Sequence, residues 1–225
     1  MEGNNSSIQI EFFHDVLCAW CYALSPRIRK LVQEFPDIKV IHRSFALAPS
    51  QKRLEEMFGS KQDAKEEILN HWRAANENDD AHRIKAEVML TKSFDYPYSL
   101  PPLMACKEAE LQGGQESHWN YFDRIQRAHL TECLNVNDMD VLIQCAADIG
   151  LDVQKFKDDL ISTEGKKKLE DALDADNYLA RQYGVNSVPT LVINGKWILS
   201  GAHKYDFIKN IVEQILENGE PKNVY

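Results

Sequence analysis

No window of the chain approaches the ~20 consecutive apolar residues of a membrane-spanning helix. The opening stretch Met1-Glu2-Gly3-Asn4-Asn5-Ser6-Ser7 lacks the basic region and apolar core of a secretory signal. Both absences lead to the expectation of a cytoplasmic protein with no membrane partner. Cysteine is scarce: five residues, an odd count with a single close pair, do not make a secreted disulfide framework. An excess of positive charge is missing too. With 26 Lys and Arg against 35 Asp and Glu, the formal net charge is -9, which argues against a nucleic-acid or anionic-lipid surface. The run Lys166-Lys167-Lys168 sits among Glu164, Glu170 and Asp171, so it reads as a solvated helix face with Lys166–Glu170 and Lys167–Asp171 pairs. No internal repeat or low-complexity tract is present.

What is there is organised around Phe12-Phe13-His14-Asp15-Val16-Leu17-Cys18-Ala19-Trp20-Cys21. Ile8, Ile10 and Phe12 alternate with Gln9, Glu11 and Phe13, the pattern of a short strand with one strongly buried face. Leu17, Trp20, Leu24, Ile28 and Leu31 then recur at helical spacing, so a helix begins at or near Cys18. Two thiols three apart at a helix start are close enough to bridge within one turn. Free N–H groups and the positive end of the helix dipole favour a thiolate there, the condition for a reactive cysteine. A zinc site would need two further ligands at close spacing. Cys106, Cys133 and Cys145 are scattered singly and His14 has no partner at ligand spacing, so redox chemistry is expected and a metal is not.

At 225 residues the chain can bury one large core. Pro26 predicts a kink or local break in the first helix. Ile38–Phe45 is a second alternating strand, parallel to the first through a right-handed crossover. From Pro49 to about residue 160 the chain is helix-forming throughout, with Gln62–Asn76, a helix after Pro102 stopping at Gly113-Gly114, and another around Trp119, Phe122, Ile125 and Ala128. Asn137 reads as an N-cap, as does Asp152. A long helix starts at Thr163 with Leu169, Leu173, Asp176, Ala180 and Tyr183 on one side. Val188–Ile193, the turn Asn194-Gly195 and Lys196–Ser200 form a hairpin, and an amphipathic helix closes the order β-α-β, helical block, α-β-β-α.

These residues resemble the thioredoxin fold, and the helical block between its halves is similar to that of the DsbA family. Asp15-Val16-Leu17-Cys18-Ala19-Trp20-Cys21-Tyr22 looks like the Cys-Pro-Trp-Cys-Tyr signature of its FrnE-like branch. Arg43-Ser44-Phe45-x-Leu47-x-Pro49, Ala147-x-x-Gly150-Leu151-Asp152, Gly184-Val185-x-Ser187-Val188-Pro189-Thr190 and Ser200-Gly201-Ala202 also fit. Ala19 departs from the proline usual in that branch, so the redox poise of relatives does not carry over. The expected architecture is an α/β thioredoxin-like domain over 1–48 and 163–225, with an all-helical domain inserted at 49–162.

Position makes Cys18 the nucleophile and Cys21 the resolving thiol. The resemblance makes Pro189 a cis-proline facing the pair, with Val188 beside Cys18 and packing on bound substrate, and its backbone open to a peptide added as a strand. Trp20 is expected to expose part of its ring as a further substrate contact. His14, Asp15 and Glu11 are candidates for tuning the thiolate, although Asp15 equally suits a turn or cap, and Glu11 an exposed edge. Cys106, Cys133 and Cys145 read as buried hydrophobes, with a second disulfide among them as the alternative. Trp119, Phe122, Tyr96 and Tyr98 read for the most part as core, with the lining of a cleft between insert and core as the alternative.

The expected function is thiol–disulfide exchange with protein or small-molecule thiols, without an organic cofactor and with glutathione as a possible co-substrate. Relatives differ in oligomeric state, so monomer and homodimer both stay open. Two rivals remain. One is a glutathione-dependent transferase or isomerase of the kappa-class and hydroxychromene carboxylate isomerase type, whose members carry serine at the nucleophile position. The other is a redox-inert adaptor that grips an extended peptide.

Overall fold

The computed structural model describes residues 8–222, so the polar stretch Met1–Ser7 lies outside the described residues. Strand β1 (Gln9–His14) is buried at every position but Gln9. Alternation predicted one buried face; both are covered because β1 is an inner strand. It lies between β2 (Lys39–Ser44) and β3 (Thr190–Ile193), with β4 (Trp197–Ser200) outside β3. β1 and β2 run parallel, with Phe12 opposite His42 and His14 opposite Ser44. β3 is antiparallel to β1, and β4 to β3. Asn194 and Gly195 both take positive φ, 51° and 65°, which the twist of a two-residue hairpin turn requires.

Helix α1 (Ala19–Glu34) makes the crossover and runs through Pro26 without the expected break. Proline has no N–H, so the carbonyl of Tyr22 one turn earlier loses its helical partner. Arg83 replaces it: its Nη2 donates to the Tyr22 carbonyl at 2.8 Å, and the guanidinium lies 3.9 Å over the Tyr22 ring.

Between β2 and the third strand come α2 (Gln51–Phe58), α3 (Lys61–Asn78), α4 (Ala86–Leu90), α5 (Leu100–Leu130), α6 (Met139–Asp148), α7 (Val153–Ile161) and α8 (Thr163–Tyr183); α9 (Tyr205–Asn218) follows β4. α5 is bent rather than stopped at its glycines, where Gly113 and Gly114 leave helical φ/ψ. A Cβ on Gly113 would sit 2.0 Å from Ser117 Oγ, so the bend requires that glycine. α6 is capped by Asp138, not Asn137, whose side chain instead bonds both backbone groups of Tyr98. The Lys166–Glu170 and Lys167–Asp171 pairs do not close within ion-pair distance among the described residues.

One apolar cluster joins Ile10, Phe12, Leu24 and Ile28 to Trp72, Leu103 and Phe122, crossing from the sheet into the helical block. A smaller one, Phe13, Ala180, Val185 and Val192, seals the opposite sheet face under α8. Among the described residues, no helix is long and apolar enough to cross a membrane.

Candidate functional site

The loop between β1 and α1 is fixed from two sides by buried polar groups. Asp15 Oδ1 accepts the Leu17 N–H at 2.9 Å, while its Oδ2 accepts the Leu47 N–H at 2.7 Å and the Ser99 hydroxyl at 2.6 Å. Burial raises the Asp15 carboxyl, and these three hydrogen bonds oppose that shift. On the other side the Gln126 amide donates to the carbonyls of Asp15, Val16 and Cys18 at 3.3, 3.2 and 3.1 Å. Ser99 and Gln126 carry no signal in the sequence: Ser99 precedes the helix start at Leu100, and Gln126 looks like an ordinary polar residue of a helix. Their role exists only once α5 is folded against the loop.

Cys18 is the N-cap of α1, in extended conformation (φ -78°, ψ 106°). Its Sγ accepts the backbone N–H of Cys21 at 3.2 Å, so the residue the sequence placed at the helix start occupies the capping position itself. The thiol also points at the Val188 carbonyl oxygen, 3.5 Å away, and the Val188–Pro189 peptide bond that follows is cis. Cys21 is fully buried one turn into the helix. Burial pushes its thiol well above the ordinary range, and contact with the Cys18 sulfur and the charge of Asp15 push the same way. The two sulfurs are therefore unequal: one caps a helix at the edge of a cavity, the other is sealed and protonated.

That cavity, of about 260 Å³, is lined by Cys18, Trp20, Val188, Leu47, Trp72 and Tyr96 among others, and its walls are mostly apolar. It lies where the ends of β1 and β3 meet α2 and α3. Trp20 and Val188 thus stand beside Cys18 as expected from the sequence, and Trp20 is only partly buried. A larger hollow of about 350 Å³, lined by Arg29, Lys30, Arg83 and Arg127 with Asp123, holds no thiol.

Two of the three candidate tuning residues lie elsewhere. Glu11 is buried, not at an edge, and shares the α8 face of the sheet with Phe13. Its carboxylate is taken by Arg43 at 2.7 Å and the Tyr183 hydroxyl at 2.7 Å, so it does not serve Cys21. His14 turns to the other face, into the interior, where its ring stacks near His42, His118 and Phe122. Neither residue is hydrogen-bonded to a sulfur. Asp15 stays at the site, where its carboxylate anchors the loop.

Cys106, Cys133 and Cys145 are free and buried. Burial raises the thiols of all three, Cys145 to about 11, which makes them poor nucleophiles. Sequence spacing also missed a charged chain through the interior. Arg43 and Lys107 flank the buried Asp176 at 3.2 and 2.6 Å; Lys107 reaches Glu110 at 2.9 Å, and Glu110 holds His118 Nδ1 at 2.7 Å. Three elements distant in sequence, β2, α5 and α8, supply it.

A model of the DSBA-like thioredoxin domain matches residues 9–213. The ClpXP adapter protein SpxH of Halalkalibacterium halodurans is 31% identical over 218 residues, covering 93% of this chain and 68% of that protein. A putative protein disulfide isomerase from Nitrosomonas europaea superposes with a TM-score of 0.74 at 19% identity, over 94% of this chain and 98% of that one. The cytosolic disulfide reductase DsbM from Pseudomonas aeruginosa, also solved with GSH, superposes with a TM-score of 0.69 at 20% identity, over 92% and 98%. At these identities the two structures speak for the fold.

Proposed function

The chain belongs to the DSBA-like thioredoxin domain family, and from that premise we propose that it is a thiol–disulfide oxidoreductase working through Cys18 and Cys21. The observation that carries the reading is the placing of Cys18 Sγ. It caps α1, accepts the Cys21 N–H at 3.2 Å, and lies against the Val188 carbonyl on the wall of an apolar cavity.

The Cys18 thiolate attacks one sulfur of a substrate disulfide, forming a mixed disulfide and releasing the other substrate sulfur, which takes up a proton. Cys21 then gives up its proton and attacks Cys18 Sγ. The second substrate thiol leaves, and a Cys18–Cys21 disulfide remains. Two electrons have passed from protein to substrate, and an external thiol (glutathione or a protein dithiol) returns them. A buried, protonated Cys21 suits the second step, since it stays silent until the mixed disulfide forms beside it. Trp20, Val188 and the backbone at Pro189 are the substrate contacts in this reading. No organic cofactor takes part, and the expected setting is a reducing cytoplasm.

The test is chemical. Mild oxidant should remove two protons' mass and both alkylatable thiols at Cys18 and Cys21, and the wild type should reduce insulin in the presence of glutathione. Full insulin-reductase activity in Cys18→Ser, or no Cys18–Cys21 bridge on oxidation, contradicts it.

A second reading is favoured by the SpxH relative, whose name is that of an adapter. Here the same apolar cavity and strand edge grip an extended peptide without exchange. Equal capture of a peptide partner by wild type and by Cys18→Ser/Cys21→Ser would support the adapter over the oxidoreductase.

A further inference from the structure

We infer that His14, His42 and His118 form a buried three-histidine site for a zinc-type divalent cation. One ring nitrogen from each lies within 4.8 Å of the other two. His14 ends β1, His42 sits in the middle of β2, and His118 comes from the second arm of α5, so neither spacing nor a motif announces the group. All three rings are fully enclosed.

The cluster has polar atoms that nothing in the protein satisfies. Both ring nitrogens of His42 and Nδ1 of His14 have no hydrogen-bond partner. The walls around them are the rings of Phe12, Trp119 and Phe122, which offer none. Buried polar atoms are nearly always paired, so the His42 ring calls for an absent partner. Neutral His42 presents one N–H and one lone pair, and a cation held by Nε2 of His14 and Nε2 of His118 would take that lone pair.

The surroundings orient one ligand as metal sites do. His118 Nδ1 lies 2.7 Å from Glu110 Oε2, so that nitrogen donates and Nε2 turns its lone pair inward. Glu110 is itself braced by Lys107 and by the Gln115 amide at 2.9 Å each. A carboxylate behind the outer nitrogen of a histidine is the usual support for a ligating imidazole. The inward Nε2 of His118 is 3.2 Å from Nε2 of His14. Two nitrogens each about 2.0–2.1 Å from zinc in a tetrahedron stand at about that separation. Imidazole donors suit zinc, and also copper and nickel, over magnesium or calcium. A bound cation would tie β1, β2 and α5 together directly behind the loop that carries Cys18.

The experiment uses the full chain, unfolded with a chelator and refolded with Co2+ or Zn2+. To keep the thiols out of the result, it is run on wild type and on Cys18→Ser/Cys21→Ser. Both should retain one equivalent of metal after desalting. The cobalt form should show visible bands of a tetrahedral nitrogen site without a sulfur-to-cobalt charge-transfer band. Glu110→Gln should weaken zinc about 10- to 100-fold, as loss of an outer carboxylate does, and His42→Gln should lose it more completely. Should a variant fail to fold, nitrogen NMR on the wild type decides, because zinc must shift the ring nitrogens of all three histidines. No retained metal, a sulfur band, or unmoved ring nitrogens would overturn the site and leave a buried water as the missing partner.

Discussion

Cys18 and His14 stand four residues apart at the same end of β1, yet they belong to differently built regions. The thiol region is local: a strand end, a three-residue loop and a helix start supply both sulfurs and the N–H that contacts Cys18. It opens onto a cavity. The histidine region draws one ring from each of three elements and is closed to solvent. Burial acts alike on both, always against the charged form, but with different results. It holds His14 and His42 neutral well below their usual range. It also holds Cys21 as a thiol, while Cys18 lies at the cavity wall. Reactivity at this end of the sheet thus depends on which side chain reaches the opening.

The sharpest way to break that contrast is to exchange thiols for hydroxyls. Cys18→Ser should lower disulfide-reductase activity about 10³-fold or more, the scale expected when a nucleophile is removed. Cys133→Ser, which changes a buried thiol bonded to the Lys85 carbonyl, should leave turnover within about twofold, since no step passes through it. Similar losses in both would show that burial does not sort the cysteines.

Acid tests the closed region. His14, His42, His118 and His129 all have pKa values lowered from the usual 6.5 by burial, His129 to about 3. The unfolded chain takes these protons near pH 6.5 and the folded chain only at lower pH. Stability is therefore complete above that pH and falls as pH drops below it, by at most about 1.4 kcal/mol per pH unit for each histidine. For the metal-free protein, four together set an upper bound of about 5 kcal/mol on the loss between pH 6 and 5. Glu110, held at about 2, adds a further loss as pH falls from 4.5 towards 2. Urea midpoints that stay flat from pH 7 to 5 would contradict the buried, neutral cluster.

Smaller changes probe the frame of the thiol region. Gln126→Leu keeps the shape but strands three loop carbonyls, at a cost of about 1–3 kcal/mol in urea unfolding. It should slow exchange as well; an unchanged midpoint would mean the loop needs no clamp. Smaller still is the coupling at Pro26. Arg83→Met takes the donor from the Tyr22 carbonyl and also the guanidinium from the buried Asp79, 2.7 Å away, and should cost about 3–5 kcal/mol in wild type. In Pro26→Ala, where residue 26 again donates to the Tyr22 carbonyl, the cost should be about 1 kcal/mol less. Strict additivity would sever the link between the proline and the arginine.

What the sequence disclosed follows the same division. Strand alternation, the Cys18–Cys21 spacing and the Asn194-Gly195 turn act between neighbours, and each appears where the sequence puts it. The cap of α6 was missed by one residue because Asn137 and Asp138 are equally good caps, and only the fold gives Asn137 to Tyr98. Proximity along the chain groups Glu11 and His14 with Cys18. Strand geometry sends their side chains to opposite faces, and neither reaches the sulfurs. His42, His118, Ser99 and Gln126 stayed hidden because their partners are distant in sequence, and no periodicity encodes such meetings.

The central claim is that Cys18 attacks and Cys21 resolves. It is tested most directly by incubating Cys21→Ser with a disulfide-bonded peptide and mapping the trapped adduct by mass spectrometry. The account predicts one peptide per chain, joined to Cys18. An adduct on any other cysteine, or none while wild type turns over, would contradict it.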